Sequence, residues 1–439
     1  MAHTAPFKGT YYAPSLPLEQ VIAPPYDVLS PLQQAELYAK HPLNVVRLIL
    51  NKEEETDTPE QNRYTRASAF LQEGLQQGIF VQDTEPAFYE YIQQFEHPLD
   101  PTQLVQRRTL FVALKLEPYE KGIVLPHEET HPKAKADRLL MMRATNANPE
   151  PIYGLYEDPT LTIAKSLEAS RAGQEPLLSA ILPGQTAPNS EQHLIYRHAD
   201  PCLIAEIEEF FQQRRIWIAD GHHRYETGLN YQRERREQEG NPEGLQPYDL
   251  LFIGLSAFED PGLVVLPTHR LVKGISESRL EELPLLLERF FHIDLLSLEA
   301  GKAWIGNQSP EVKRFLVVLQ GKTYALTLRD TNLLNEAMGG KHCQAWRHLD
   351  VSILQEFVLD RSLGIAWQTL AHTPDVAYTR DTEEAFEKVQ SGEWQLSLLL
   401  QNPTVTEVRD VASAGDKMPQ KSTFFYPKLW SGLLLRSLA

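Results

Sequence analysis

The chain has 439 residues, enough for two or three domains with real cores. Lys plus Arg total 42 against 59 Asp plus Glu, a net charge of −17, which argues against general nucleic-acid binding but leaves room for a local basic pocket for a small anion. Cys202 and Cys343 stand far apart and outside any C-x-x-C, so neither a disulfide framework nor a cysteine zinc site is implied. With no charged-then-apolar leader and no apolar run long enough to span a bilayer, the expectation is a soluble cytoplasmic protein.

In chain order, Val21–Val28 reads as a stiff extended connector around Pro24 and Pro25. Ser30-Pro31 reads as an N-cap with proline at the first helical position, opening a helix to about Lys40. Residues 44–50 read as a strand. Thr58-Pro59 opens a helix with Tyr64, Ala67, Phe70, Leu71 and Leu75 on one face. Strands over 88–94 and 107–116 form a candidate hairpin. They are followed by a helix over 137–146, a strand over 151–156, a helix over 160–172 and a strand over 193–199. A helix over 203–213 leads into a strand ending at Asp220. The helix over 224–238 stops at Gly240-Asn241-Pro242. Strands over 248–257 and 264–267 come next. From about residue 275 the texture changes to a leucine-rich amphipathic helix, 279–291, and short strands over 314–320 and 323–328. The pattern predicts a mixed α/β protein. Its N-terminal α/β domain, 1–275, carries the site, and a smaller C-terminal α+β region, 276–439, contributes the basic segment 415–428.

The most informative stretch is Ile216-Trp217-Ile218-Ala219-Asp220-Gly221-His222-His223-Arg224-Tyr225. It reads as strand, tight turn and helix start. The first turn of a helix presents unpaired N–H groups and the positive end of a dipole, which attract anions. Gly221 permits the sharp turn and a close approach of ligand to backbone. Arg224 brings a planar fork suited to phosphate oxygens. The competing reading is an Asp220 N-cap on a surface turn.

His127-Glu128-Glu129-Thr130-His131 spells H-E-x-x-H, but zinc-protease chemistry needs both histidines on one continuous helix. Pro132 directly after His131 disfavours that geometry, so the protease reading is rejected. His127 and Glu128 stay as a candidate acid–base or metal-directed pair beside Arg138, with a solvated loop as the alternative. Gly415 to Ser422 nearly spells a P-loop, yet Gln420 stands where the second glycine belongs, and Pro419 removes a donor. Lys421, Ser422 and Lys428 remain candidate phosphate donors on a terminal strand. Pro267-Thr268-His269-Arg270 puts a polar cluster just after an apolar strand, with surface capping as the competing reading.

Together these segments make the chain resemble domain-of-unknown-function family 1015. The carriers are Pro24-Pro25-Tyr26-Asp27-Val28, His127-Glu128 with Thr130, Asp137-Arg138-Leu139, Arg143-Ala144-Thr145 with Ala147-Asn148, Ala219 through Tyr225, Pro267 through Arg270, and Met418-Pro419 with Lys421-Ser422-Thr423. More distantly, Asp220-Gly221-His222-His223-Arg224 is similar to the phosphate-gripping turn of the ParB/sulfiredoxin-like superfamily, whose free-serine kinases carry an Asp-Gly-His-x-Arg turn. That resemblance implies a ParB/sulfiredoxin-like nucleotide-binding core. In it Gly221, His222, His223 and Arg224 hold phosphates, aided by Arg138, Lys421, Ser422 and Lys428. Asp220, Glu128 and His223 are the catalytic candidates. ATP or ADP with Mg²⁺ would be the cofactors, and a small hydroxylated metabolite, free L-serine first, the substrate. The alternatives are a nucleotide-binding regulator without turnover and a metal-dependent hydrolase using His127 and Glu128. Neither nucleic acid nor membrane is an expected partner.

Overall fold

A long β-hairpin, Phe88–His97 with Asp100–Lys115, is the axis of the first of two units in the computed structural model. The structure describes residues 1–130, 132–183, 190–309, 311–367, 373–419 and 421–438. Unit 1 comprises Met1–Pro126, Thr130–Val264 and Pro427–Ala439; unit 2 comprises His127–Glu129 and Val265–Tyr426. The mixed α/β class expected from the sequence is what the described residues form.

In unit 1 the hairpin lies within one mixed sheet. Its strand order is Val124–Leu125, Ile216–Asp220, Ile152–Tyr156, Leu250–Ala257, Asp100–Lys115, Phe88–His97, Ser190–His198 and Leu178–Pro183, with Thr4–Ala5 added beside Asp100–Lys115. Ile216–Asp220 runs parallel to Val124–Leu125 and antiparallel to Ile152–Tyr156. These strands are apolar on successive residues because both faces are covered, so alternation is lost. Ile152, Ile216, Ile218, Ile253 and Leu255 pack with Ile163 and Leu167 of the helix Thr162–Arg171 and with Ile207 and Phe211 of the helix Pro201–Phe211. That last helix starts where Asp200 accepts the N–H groups of Cys202 and Leu203, and Pro201 occupies a position that needs no donor. A second, four-stranded sheet joins Phe80–Gln82, Gly9–Tyr12, Leu435–Ser437 and Ala147–Asn148. This pairing is why the C-terminal residues, expected in the second domain, belong to unit 1.

Unit 2 is built on a six-stranded sheet in the order Phe291–Leu296, Lys322–Leu328, Arg314–Leu319, Leu396–Leu400, His269–Val272 and Val376–Thr379. Every neighbouring pair is antiparallel. Leu316, Val318 and Leu399 pack against Ala385, Phe386 and Val389 of the helix Thr382–Gln390 and against Ile305 of Leu298–Gly306.

The helix expected after Ser30 spans Pro31–Lys40, with a reciprocal capping box between Ser30 and Gln33. Two expectations need correction. Residues 44–50 contain the short helix Val46–Ile49 rather than a strand. Asn44 decides this: its side-chain oxygen accepts the Val46 N–H, while its amide donates to the carbonyls of Gln20 and Ile22, which turns the backbone locally. The helix expected from Pro59 starts instead at Arg63, because Asn62 accepts the N–H groups of Tyr64 and Thr65. Among the described residues no helix is long and apolar enough to cross a membrane.

Ile253 is fully buried in the unit 1 core, whereas Leu104 is 71% exposed at the hairpin end. Ile253→Ala is expected to lower unfolding free energy by roughly 2–5 kcal/mol and Leu104→Ala by less than about 0.5 kcal/mol, read from the denaturant midpoint.

Candidate functional site

Strand Ile216–Asp220 leaves the sheet through a register irregularity between Ile218 and Asp220 and turns at Gly221 into the helix His222–Gln238. Gly221 has φ 92°, in the left-handed region. A Cβ there would also sit 2.7 Å from Ile152 Cγ2 and 3.0 Å from Arg224 Nε, so conformation and space both require glycine. No side chain caps this helix at Gly221. The N-cap position belongs to Gly221, one residue after Asp220. The Asp220 carboxylate takes part in an ion cluster.

Asp220 Oδ2 accepts from Arg224 Nη2 at 2.8 Å, and Oδ1 accepts from Lys428 Nζ. Burial alone would push this carboxyl up, but the charges of Lys428 and Arg224 outweigh it and hold Asp220 well below the usual carboxylate range. Such a carboxylate holds protons poorly, a handicap in a general base. Lys428 is itself positioned from behind: Arg107 donates to the Pro427 carbonyl at 2.5 Å, and Gln93 donates to that of Lys428 at 3.2 Å.

Arg224 is buried, and its second terminal nitrogen donates to the Pro151 carbonyl at 2.5 Å. Its Nε is buried without a partner among the described residues. Burial alone would lower the guanidinium, but Asp27, Asp220 and Glu150 reverse that and raise its affinity for the proton. Arg138, from helix Pro132–Thr145, joins the same cluster. Its guanidinium lies 3.9 Å from the Tyr26 ring centroid, donates to the Ile49 carbonyl at 2.9 Å and comes within 3.7 Å of Glu150 Oε2. Glu150 accepts from the Tyr26 N–H at 3.0 Å and the Ser431 hydroxyl at 2.9 Å, and burial raises its carboxyl despite both arginines. Arg138, Glu150 and Arg224 line a cavity of about 30 Å³ with Asn148, Ile152 and Thr227. That is room for a water or one ligand atom group. His222 is buried and His223 half-buried at the helix start.

Of the expected residues, unit 1 thus brings together Asp220, Gly221, His222, His223, Arg224, Arg138 and Lys428. The others lie in unit 2. His127 is fully buried with Nε2 3.3 Å from the Thr423 hydroxyl, and Glu128 Oε1 lies 4.0 Å from the same nitrogen. Both precede the helix that starts at Pro132, as the proline argument required. Lys421 is exposed with φ 56°, and the buried Ser422 donates its hydroxyl to the Pro419 carbonyl. That bond occupies the proton expected to serve a phosphate. His131 and Gln420 lie outside the described residues. Among the described residues no three His, Cys, Asp or Glu side chains converge as metal ligands.

Sequence reading missed Glu150 as a member of the cluster and gave Tyr26 and Asp27 no role. The available signal was the Pro24-Pro25 brace, which fixes the backbone so that the Tyr26 N–H reaches Glu150.

Asp220→Asn would leave Lys428 and Arg224 buried without their carboxylate and is expected to cost about 3–5 kcal/mol of stability at neutral pH. Because the folded value lies below the unfolded one, the wild-type advantage is fully present above the unfolded aspartate value. It shrinks as pH falls from about 4 towards the folded value. Denaturation of both proteins across that range checks the sign.

Comparison with the curated proteins gives no match. Among solved structures, a conserved hypothetical protein from Pyrococcus furiosus shares 13% identity, with 73% of this chain and 92% of that one covered at TM-score 0.33. A free serine kinase in complex with AMP shares 12% identity, with 72% and 86% covered at TM-score 0.33. A free serine kinase variant in complex with ADP shares 11%, with 72% and 87% covered at TM-score 0.33. The profile of the family described as "Protein of unknown function (DUF1015)" matches residues 4–352, most of the chain, and the protein belongs to that family.

Proposed function

We propose that the Asp220–Arg224 turn holds the phosphates of a nucleotide and that the protein is a nucleotide-dependent phosphotransferase acting on a small hydroxylated metabolite, with free L-serine the leading candidate. The observation that carries this reading is the left-handed turn at Gly221, φ 92°, set directly against the buried Arg224, whose Nε has no hydrogen-bond partner among the described residues. Both features suit oxyanion oxygens, one through backbone dipoles and the other through a charge-assisted bond. Arg138 and Lys428 stand in the same unit, each held against carboxylates, Arg138 against Asp137 and Glu150 and Lys428 against Asp220. The ParB/sulfiredoxin-like core belongs to this proposal.

Phosphoryl transfer asks little covalent chemistry of a protein; it asks for positioning and for neutralisation of charge on the equatorial oxygens. ATP or ADP would supply the phosphoryl group. The nest at Gly221, His222 and His223 would hold its phosphates through main-chain N–H groups, and Arg224 would set their distance from the sheet. Both Asp220 oxygens are engaged by cations, so Asp220 acts by fixing Arg224 and Lys428 in place. Proton removal from the acceptor falls to His223, the more exposed histidine of the pair. Mg²⁺ would be held mainly by phosphate oxygens and water, since Asp220 has no lone oxygen to give it.

Phosphorus NMR of the protein with Mg²⁺, L-serine and either ATP or ADP tests this reading, with Arg224→Ala and Arg224→Lys alongside. A phosphoserine signal is expected from the wild type, absent in Arg224→Ala and weakened about tenfold or more in Arg224→Lys, where the planar fork is lost. Nucleotide binding without any new phosphate species would move the non-catalytic regulator to the front. His223→Ala is expected to keep nucleotide affinity while losing about 10²–10⁴-fold in turnover.

A further inference from the structure

The six-stranded sheet of unit 2 ends at Phe291–Leu296, which pairs with Lys322–Leu328 on one side and, among the described residues, with no strand on the other. The ladder fixes what the outer edge offers. The Arg329 N–H bonds to the Phe290 carbonyl, while the Leu328 N–H bonds to the Lys313 carbonyl on the opposite side. By antiparallel alternation Phe290, His292, Asp294 and Leu296 bond inward, and Phe291, Ile293 and Leu295 direct their N–H and C=O groups outward. The Phe291 carbonyl accepts from Arg329 Nε at 2.9 Å, which leaves it a second lone pair. Side chains along this edge are open too: His292 and Asp294 are exposed, and Leu295 is 67% exposed.

Proteins commonly blunt such an edge with lysine, proline or a bulge. Phe291–Leu296 has neither residue, and its register with Lys322–Leu328 runs without a shift. Instead it carries a self-complementary pattern. About Ile293, the run Phe290-Phe291-His292-Ile293-Asp294-Leu295-Leu296 is apolar at matching positions on both sides, and its two polar positions are an imidazole and a carboxylate. Laid antiparallel on a second copy with Ile293 opposite Ile293, Phe290 meets Leu296 and Phe291 meets Leu295. His292 and Asp294 then face each other twice, in the non-hydrogen-bonded pairs where side chains come closest. The bonded pairs are Ile293 with Ile293 and, twice, Phe291 with Leu295, about six backbone hydrogen bonds in all. Slipping by one residue would set outward groups against inward ones. The neighbouring registers that the ladder does allow place Asp294 on Asp294 or His292 on His292, so the pattern also selects its own register.

We infer that the protein forms a reversible homodimer by antiparallel pairing of the Phe291–Leu296 edge with the same edge of a second copy, two-fold symmetric about Ile293. A two-fold contact must use one patch on both partners, and this strand meets that condition. Two edges of six residues make an interface at the small end, so association is concentration-dependent, in roughly the micromolar range.

Sedimentation velocity of the full chain from about 1 µM to about 300 µM tests this, with a shift from monomer to dimer expected. His292→Asp sets Asp against Asp across the axis, and Asp294→Lys sets His against Lys. Each is expected to weaken the dimer about fivefold or more, and the double variant, which restores opposite charges with their positions exchanged, to return it to within about threefold of wild type. Ile293→Pro removes an outward N–H, at the kind of edge position where strands tolerate proline, and is expected to abolish the dimer while leaving the far-UV circular dichroism unchanged. Should that variant fail to fold, the charge variants at two exposed positions still decide. A chain monomeric at every concentration, a dimer indifferent to the single charge variants, or one that the double variant does not restore would overturn the inference.

Discussion

The carboxylate of Asp220 is the constraint on which the candidate site depends. It is half-buried at the end of a buried strand, and Lys428 and Arg224 stand against it and hold it ionised. Removing such a group from solvent is expensive, so its two partners must be held rigidly enough to compensate. The surrounding structure serves that end. Arg107 and Gln93 fix the backbone that carries Lys428, while the Pro151 carbonyl and the one-turn spacing from Asp220 fix Arg224. The ion cluster thus sets where the turn at Gly221 sits relative to the sheet.

This has a chemical corollary. The arginine that reads from sequence as a planar fork for phosphate oxygens is, in the fold, a strut whose Nε has no hydrogen-bond partner among the described residues. Whatever it binds is held by a preorganised group that need not rearrange, the circumstance in which electrostatic stabilisation is most effective. The same preorganisation makes Asp220 a fixed anchor for Arg224 and Lys428.

Local punctuation made much of the fold legible. Ser30-Pro31, the hairpin over 88–115 and the strand–turn–helix at 216–224 each carry their signal within a few residues, through caps, a turn glycine or long apolar runs. The strand expected over 44–50 failed because a short β-branched apolar run suits a buried helical turn equally well; the arbiter is Asn44, whose partners lie some twenty residues back. In the candidate site, the turn and its glycine were readable, since φ and spacing are local properties. The pairing of Asp220 with Lys428, residues 208 apart in sequence, was not. Nor was the burial of Ser422 against its own backbone, because hydroxyl orientation is set by packing that no local pattern encodes.

The path of the chain adds a consequence of another kind. It leaves unit 1 after Val264 and re-enters it at Pro427, where it supplies Lys428 to the ion cluster and the strand Leu435–Ser437 to the middle of the four-stranded sheet. During synthesis, therefore, unit 1 can collapse early but cannot finish. Until the entire second unit has been translated, Asp220 lacks its lysine and the edges of Gly9–Tyr12 and Ala147–Asn148 lack their partner. Unpaired strand edges of this kind are the features that chaperones engage and aggregation exploits. The order of the segments thus makes the closing of unit 1 wait on residues 427–438, which follow the whole of unit 2 in the chain.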